Sequence, residues 1–252
     1  MKMTKLLIPA AIALLTLFVA AGCGDNTVEG CLNKANEYAT GGDWKRALKY
    51  TRKATELAPE NVSSLVFRAI AAEKAGERDL AVSSATKAVG CNPDSFSAQY
   101  TLGRLYSTDP TRYAEAVDAL LKALRLKQND TNTLVLLCNV AVAMRSNQTL
   151  TFLTALKRLP EFANDPALNN QLGVYYVSRG DYEAAKRAFL AACSKDSRNP
   201  EIVFNTATFM ERYTNSKMNA KNFYRHYLRL ISDRPEYAAR RAEVEARLQR
   251  LN

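Results

Sequence analysis

Histidine is nearly absent from this chain: 252 residues contain one, His226. That scarcity excludes an HExxH metal site and leaves a Ser-His-Asp triad only one possible base. No GxSxG and no GxxxxGK[ST] occurs, so neither a nucleophile elbow nor a phosphate-cradling loop can be read. Five cysteines are present without one CxxC pair. The last four, Cys31, Cys91, Cys138 and Cys193, stand 60, 47 and 55 residues apart. With one histidine they supply no zinc ligand set; export would permit disulfides, but the separations favour buried free thiols, one to a segment. Acidic residues are scattered and expected on outer faces. The chain is therefore expected not to be an enzyme and to need no cofactor and no metal.

Long apolar runs are missing too, save at the start. Met1 to Lys5 is basic, residues 6–21 are apolar except for Thr16, and Gly22 and Cys23 follow. A basic start, an apolar stretch and small residues at a cut site make a secretory signal. The run is short for a membrane span of about 20 residues, and Pro9 interrupts it. Ala20-Ala21-Gly22-Cys23 resembles the bacterial lipobox, in which cleavage precedes the cysteine and lipid is attached to it. The resemblance implies a signal peptide over 1–22, Cys23 as the lipidated first residue, and a short tether over 23–29. An ordinary cleaved signal and a retained anchor are the alternatives. Several acyl chains make a durable anchor, so the expected location is a bacterial cell envelope, tethered to the inner or outer membrane and facing the periplasm or exterior.

Acid is in short supply at the other end. The chain carries +10 overall, and residues 212–252 hold ten Lys/Arg against four Asp/Glu. A basic patch ordinarily suggests nucleic acid, but export removes that partner class in favour of anionic headgroups, wall polymers or acidic proteins. Within this segment Lys217, Lys221, Arg225 and Arg229 recur every four residues. Ala220, Phe223, Tyr224, Tyr227, Leu228 and Ile231 form an apolar face of the same predicted helix. The basic row is either a solvated surface or a stripe that meets anionic lipid or an acidic partner.

What the chain has in quantity is self-similarity. Residues 41–61 and 75–95 match at an offset of 34, pairing Gly42 with Gly76, Ala47 with Ala81, Ala54 with Ala88 and Pro59 with Pro93. Ala116 and Ala123 continue the series, and Ala185 and Ala192 lie 69 residues beyond them. A small residue recurs in phase at Ala35, Ala69, Gly103, Cys138, Gly173 and Thr208. A period of this length marks stacked supersecondary units that bury their faces only against neighbours. Small residues at helix crossings allow close approach, the glycines supply turns and the prolines stop second helices.

With Leu102, Gly103 and Tyr106, and again Leu172, Gly173, Tyr176, Gly180, Tyr182, Ala185, Phe189 and Ala192, the pattern resembles the tetratricopeptide repeat family. The resemblance spans about residues 28–235; copy four lacks the glycine turn and copy six the first-helix glycine. It implies an all-α, right-handed α-solenoid of about six helix-turn-helix repeats over 30–235, closed by a capping helix over 236–252. In that helix Tyr237, Val244, Leu248 and Leu251 would face inward while its Arg and Glu face water.

The resemblance also implies where a partner sits: in a groove, three residues before and one after each small position. Here those positions are Leu32, Val66, Tyr100, Val135 and Asn170, then Asn36, Ile70, Arg104, Asn139 and Val174. Asn36, Tyr100, Arg104, Asn139 and Asn170 are the candidate groove residues, since amides pair with a peptide backbone and Arg104 can take a carboxylate. His226 reads as a packing or surface residue. The expected function is a membrane-anchored, non-catalytic scaffold or adaptor for a protein or extended peptide. Lipoproteins of this repeat type serve envelope assembly, pilus biogenesis or recruitment of cell-wall enzymes. A self-associating structural subunit, or a binder of anionic lipid or glycan through the basic helix, remains open.

Overall fold

The computed structural model describes residues 26–251, and the signal segment, Cys23 and its tether up to Asp25 lie outside them. Among the described residues every regular element is helical. They form two compact units, divided after Val140.

The first unit holds three complete helix pairs and a seventh helix. These are α1 (Val28–Thr40) with α2 (Trp44–Leu57), α3 (Val62–Ala75) with α4 (Arg78–Cys91), α5 (Phe96–Tyr106) with α6 (Tyr113–Leu126), and most of α7 (Thr131–Ala143). Each first helix starts where a short polar side chain can accept an otherwise orphaned backbone N–H. Thr27, Asn61, Ser95 and Asp130 accept from Gly30, Ser64, Ala98 and Thr133 in turn. The small residues Ala35, Ala69 and Cys138 are fully buried, and Gly103 is buried with them. At Gly103 a Cβ would stand 2.7 Å from Leu120 Cγ, so the α5–α6 crossing has no room for a methyl. Around these crossings Leu48, Leu102, Leu105, Tyr106 and Val140 close a core mostly of alanines. Small residues bring the helices together, and larger ones fill the space between.

The second unit contains α8 (Thr149–Lys157), α9 (Pro166–Ser178), α10 (Tyr182–Lys195), α11 (Pro200–Tyr213), α12 (Lys217–Leu230) and α13 (Ala238–Leu251). Gly173 meets the Phe189 ring, where an added Cβ would lie 2.7 Å away. Phe189 is fully buried and packs on Phe209 at 5.3 Å between ring centroids. Asn170 and Asn205 occupy the same phase of successive repeats, and the Asn205 amide donates to Asn170 Oδ1 at 3.1 Å.

The turns settle the register of the degenerate fourth copy. Gly42, Gly76 and Gly180 each take a left-handed backbone seven residues after the small position, at φ 79°, 87° and 77°. In the fourth copy the residue there is Arg145, at φ 53°. The four turns share one closing hydrogen bond: Asp43, Glu77, Ser146 and Asp181 donate to the carbonyls of Tyr38, Ala72, Ala141 and Tyr176. This six-to-one bond is the helix-ending motif that normally selects glycine. A non-glycine residue in that conformation costs about 1–2 kcal/mol. Arg145 is exposed, so its side chain returns little of this. Arg145→Gly is therefore expected to stabilise the protein by about 0.5–1 kcal/mol after the unfolded chain's gain in freedom. Thermal unfolding should show a midpoint raised by roughly 1–3 °C; a lowered midpoint would mean that the arginine side chain contributes contacts of its own.

Copies three and six turn differently. In copy three a 3-10 turn, Pro110–Arg112, replaces the glycine. In copy six, α11 ends into an extended Thr214, at φ −131° and ψ 153°.

Three expectations are corrected. Cys91 is exposed rather than buried, because it ends α4 just before Asn92 and Pro93, whereas Cys31, Cys138 and Cys193 are buried. Asn170 is fully buried and has no surface to offer a peptide. The charges of the last helix do not all face water. Val244, Tyr237, Leu248 and Leu251 do pack inward, but Arg247 and Arg240 go with them.

Candidate functional site

Two surfaces carry the residues singled out by sequence. The first is the face of the first unit presented by its first helices. Asn36 on α1, Ile70 on α3, Arg104 on α5 and Asn139 on α7 are all half-exposed, one residue after each small position. The positions three residues before behave otherwise. Leu32, Val66 and Val135 are buried, and only Tyr100 keeps a half-exposed ring, stacked on Phe96 at 5.7 Å. Burial pushes the Tyr100 hydroxyl above its ordinary pKa, against the lowering effect of Arg104. The Arg104 fork is already filled. Its two terminal nitrogens donate to the two Glu73 oxygens at 2.7 and 2.6 Å, joining α5 to α3. The carboxylate that a free guanidinium would take from a ligand is here supplied from within.

The second surface lies in the second unit. On α12, Lys217, Arg225 and Arg229 are exposed and Lys221 is half-exposed. None of the four forms an ion pair with another described residue. The helix is held from behind by the apolar face read in the sequence: Ala220, Tyr224, Tyr227 and Ile231 are fully buried, with Phe223 and Leu228 against them. His226 packs back as well, its Nε2 at 2.7 Å from the Ser197 carbonyl oxygen.

The amino-terminal end of this row opens into a cleft of about 1160 Å³. It forms where the sixth copy lacks the glycine turn, so Thr214, Asn215 and Ser216 run along its floor. Tyr182 and Tyr213 stack on one wall at 4.8 Å, with Met218 and Leu251 also lining the space. Arg212, Lys217 and Lys221 supply its charge. The one acid in the lining, Glu211, is engaged elsewhere: Tyr224 Oη and Arg247 Nη1 each donate to its Oε2 at 2.6 Å. Burial raises the Glu211 pKa, but these two donors outweigh it and hold the carboxyl below its usual range. Burial and the bond to Glu211 together push the Tyr224 hydroxyl up to about 12. Arg247 also forks onto Glu243, at 2.7 and 3.1 Å. Thus α13 is tied to α11 and α12 through a charged cluster, and Arg240 adds a bond to Glu201 at 2.8 Å. Sequence reasoning found the row but not the cleft. The signal was there, as the loss of the turn glycine at the position held by Asn215.

Two profiles described as "Tetratricopeptide repeat" match the chain, one over residues 32–96 and 68–131, the other over 166–198. Together they span just over half of it. The chain belongs to the tetratricopeptide repeat family. Its fold superposes on several solved structures. YrrB, described as a tetratricopeptide repeat protein with an unusual peptide-binding site, aligns at a TM-score of 0.64 and 22% identity, over 73% of this chain and 93% of its own. PilW, described as a widely conserved type IV pilus biogenesis factor, aligns at 0.64 and 19%, over 86% and 97%. A tetratricopeptide repeat protein from Parabacteroides merdae aligns at 0.62 and 14%, over 89% and 93%. At these identities the likeness is one of fold. A comparison with curated protein sequences gives no match.

Proposed function

We propose that this protein is an exported, non-catalytic adaptor, lipid-anchored through Cys23, which holds a protein partner at a membrane of the bacterial cell envelope. The observation that carries the reading is the repeat itself. Six small residues in phase build stacked helix pairs whose outward side chains are free to contact another chain. The resemblance to YrrB and PilW supports it, since one is described as binding peptide and the other as a pilus biogenesis factor. Tethering suits such a role because it raises the local concentration of whatever is bound. The unpaired row on α12 favours one second reading, attachment to an anionic lipid or glycan surface without a protein partner, at about 1 kcal/mol per basic residue near the surface.

Photo-crosslinking in living cells separates these readings. A photoreactive residue replaces Tyr100, Arg104, Asn139, Lys221 or Arg225 one at a time, in the parent chain and in Cys23→Ser. A discrete protein adduct in the membrane fraction, released to the soluble fraction by Cys23→Ser, is the expected result. Absence of a protein adduct at all five positions would overturn the adaptor reading. An adduct that stays with the membrane in Cys23→Ser would overturn the anchor.

A further inference from the structure

The cleft at the start of α12 combines three features. The first is apolar exposure. Among the described residues six large hydrophobic side chains are exposed, and two of them, Tyr182 at 43% and Met218 at 64%, line this cleft. Exposed apolar surface gathered in a concave place marks a binding site more than scattered residues do. The second is uncompensated charge. Arg212, Lys217 and Lys221 stand in the lining without an ion pair, and Glu211 is already satisfied by Tyr224 and Arg247. The third is direction. From the cleft, Lys217, Lys221, Arg225 and Arg229 continue along α12 at intervals of four residues.

That interval selects a kind of ligand. Four residues of α-helix rise about 6 Å. In an extended chain, side chains on one face recur about every 6.6–6.8 Å. Successive cations also advance about 40° around the helix axis, so an extended segment with an acid at every second residue follows the row as a shallow wrap, and the long Lys and Arg side chains take up the difference. The cleft at the end of the row takes an aromatic or aliphatic side chain, flanked by the stacked Tyr182 and Tyr213 rings and by Met218. A flat lipid surface would use the row but has no need of the cleft.

We propose that α12 and the cleft at its amino-terminal end form a docking site for an extended acidic protein segment, with carboxylates at alternate positions and an apolar residue seated beside Tyr182. This rests on the adaptor reading and gives it a place on the molecule, separate from the first-helix face of the first unit.

The test uses the full chain and a fluorescein-labelled synthetic peptide: one tryptophan followed by glutamate at alternate positions, with serine between. Fluorescence anisotropy reads binding. The control peptide has the same composition with its glutamates in one block. The alternating peptide should bind the parent chain more tightly than the control. Lys217→Gln with Lys221→Gln should weaken it roughly five- to tenfold, as expected for the loss of two exposed charge contacts and of their shared field. Lys217→Arg with Lys221→Arg should restore it, and Tyr182→Ser should weaken it by a similar factor. All these side chains are wholly or partly solvent-facing, and circular dichroism checks that helicity is retained.

No binding, equal binding of the block control, or indifference to the paired Gln substitutions overturns the proposal. So does equal binding to phosphatidylglycerol vesicles with the same sensitivity to Lys217 and Lys221 but not to Tyr182, which assigns the row to a membrane surface. In the cellular experiment, a photoreactive residue at Met218 distinguishes the two levels of failure. Adducts from Tyr100, Arg104 or Asn139 without one from Met218 or Lys221 overturn this site and keep the adaptor. No protein adduct from any position overturns both.

Discussion

Phe189→Ala should lower the stability of the second unit by about 3–5 kcal/mol, the usual cost of emptying a buried phenylalanine site. With a urea dependence of about 1–3 kcal/mol per molar, the midpoint should fall by more than 1 M. The expectation rests on where Phe189 sits. It is fully buried, lies against Gly173 where no methyl fits, and faces Phe209. Met210 shares this core cluster and can fill part of the void, which places the expected loss toward the lower end of that range. The converse change tests the same contact from the other side. Gly173→Ala gains about 1 kcal/mol of helix propensity but forces a rigid ring to move, at about 1–3 kcal/mol; a net loss is expected. Joined to Phe189→Leu, whose side chain can turn aside, Gly173→Ala should cost less than alone. Strict additivity of the two changes would show that Gly173 and Phe189 do not oppose each other across the α9–α10 crossing.

Arg247→Met should release the last helix without unfolding the rest. The guanidinium donates to Glu211, Glu243 and Tyr224, and its side chain is only 10% exposed. Removing it leaves a partly buried carboxylate with Tyr224 alone, at about 2–3 kcal/mol for a lost bond between charged groups. Because a repeat array opens from its ends, the effect should concentrate in 238–251. Amide exchange there should speed by about 30- to 150-fold, with little change in α9 and α10. Acid should do the same more gradually. Glu211 has a folded pKa below its ordinary value, so its contribution is present above the usual glutamate range. It is lost as pH falls through the lowered folded value. The protection of α13 amides, taken relative to their intrinsic exchange rates at each pH, should therefore fall on acidification in the parent, and the fall should be reduced in Glu211→Gln. A parent whose α13 protection stays constant as pH falls from above the usual glutamate range to well below it would show that the cluster does not hold the helix.

The fold was legible because its signal is steric and periodic. A methyl too many at position 103 or 173 cannot be hidden, so small residues keep phase wherever helices cross. The fourth copy was harder to place. Its turn uses a left-handed Arg145, which propensity argues against, and only the shared bond from Ser146 to Ala141 reveals the match. The groove candidates divide by position. Asn36, Arg104 and Asn139 are half-exposed, whereas Asn170 is buried and bonded to Asn205. That pairing had a trace in the sequence, two asparagines 35 residues apart in identical phase, which is how a polar ladder inside a repeat array looks. The inward arginines of α13 had no such trace. A charged residue on a surface helix reads as solvated, and only the three-dimensional partners, Glu211 behind Arg247 and Glu201 behind Arg240, overturn it.

The buried thiols have a use outside structure. Cys138 lies at a helix crossing in copy four, with no exposed surface and an ionisation pushed up to about 12 by burial. Only the thiolate is attacked quickly by alkylating reagents, so this sulfur reacts at the rate at which its surroundings open. Cys31 and Cys193 are buried beside α2 and α11, while Cys91 answers at once from the surface. The chain thus carries stopwatches along its length, native to the sequence, by which the breathing of successive repeats can be timed without adding a single probe.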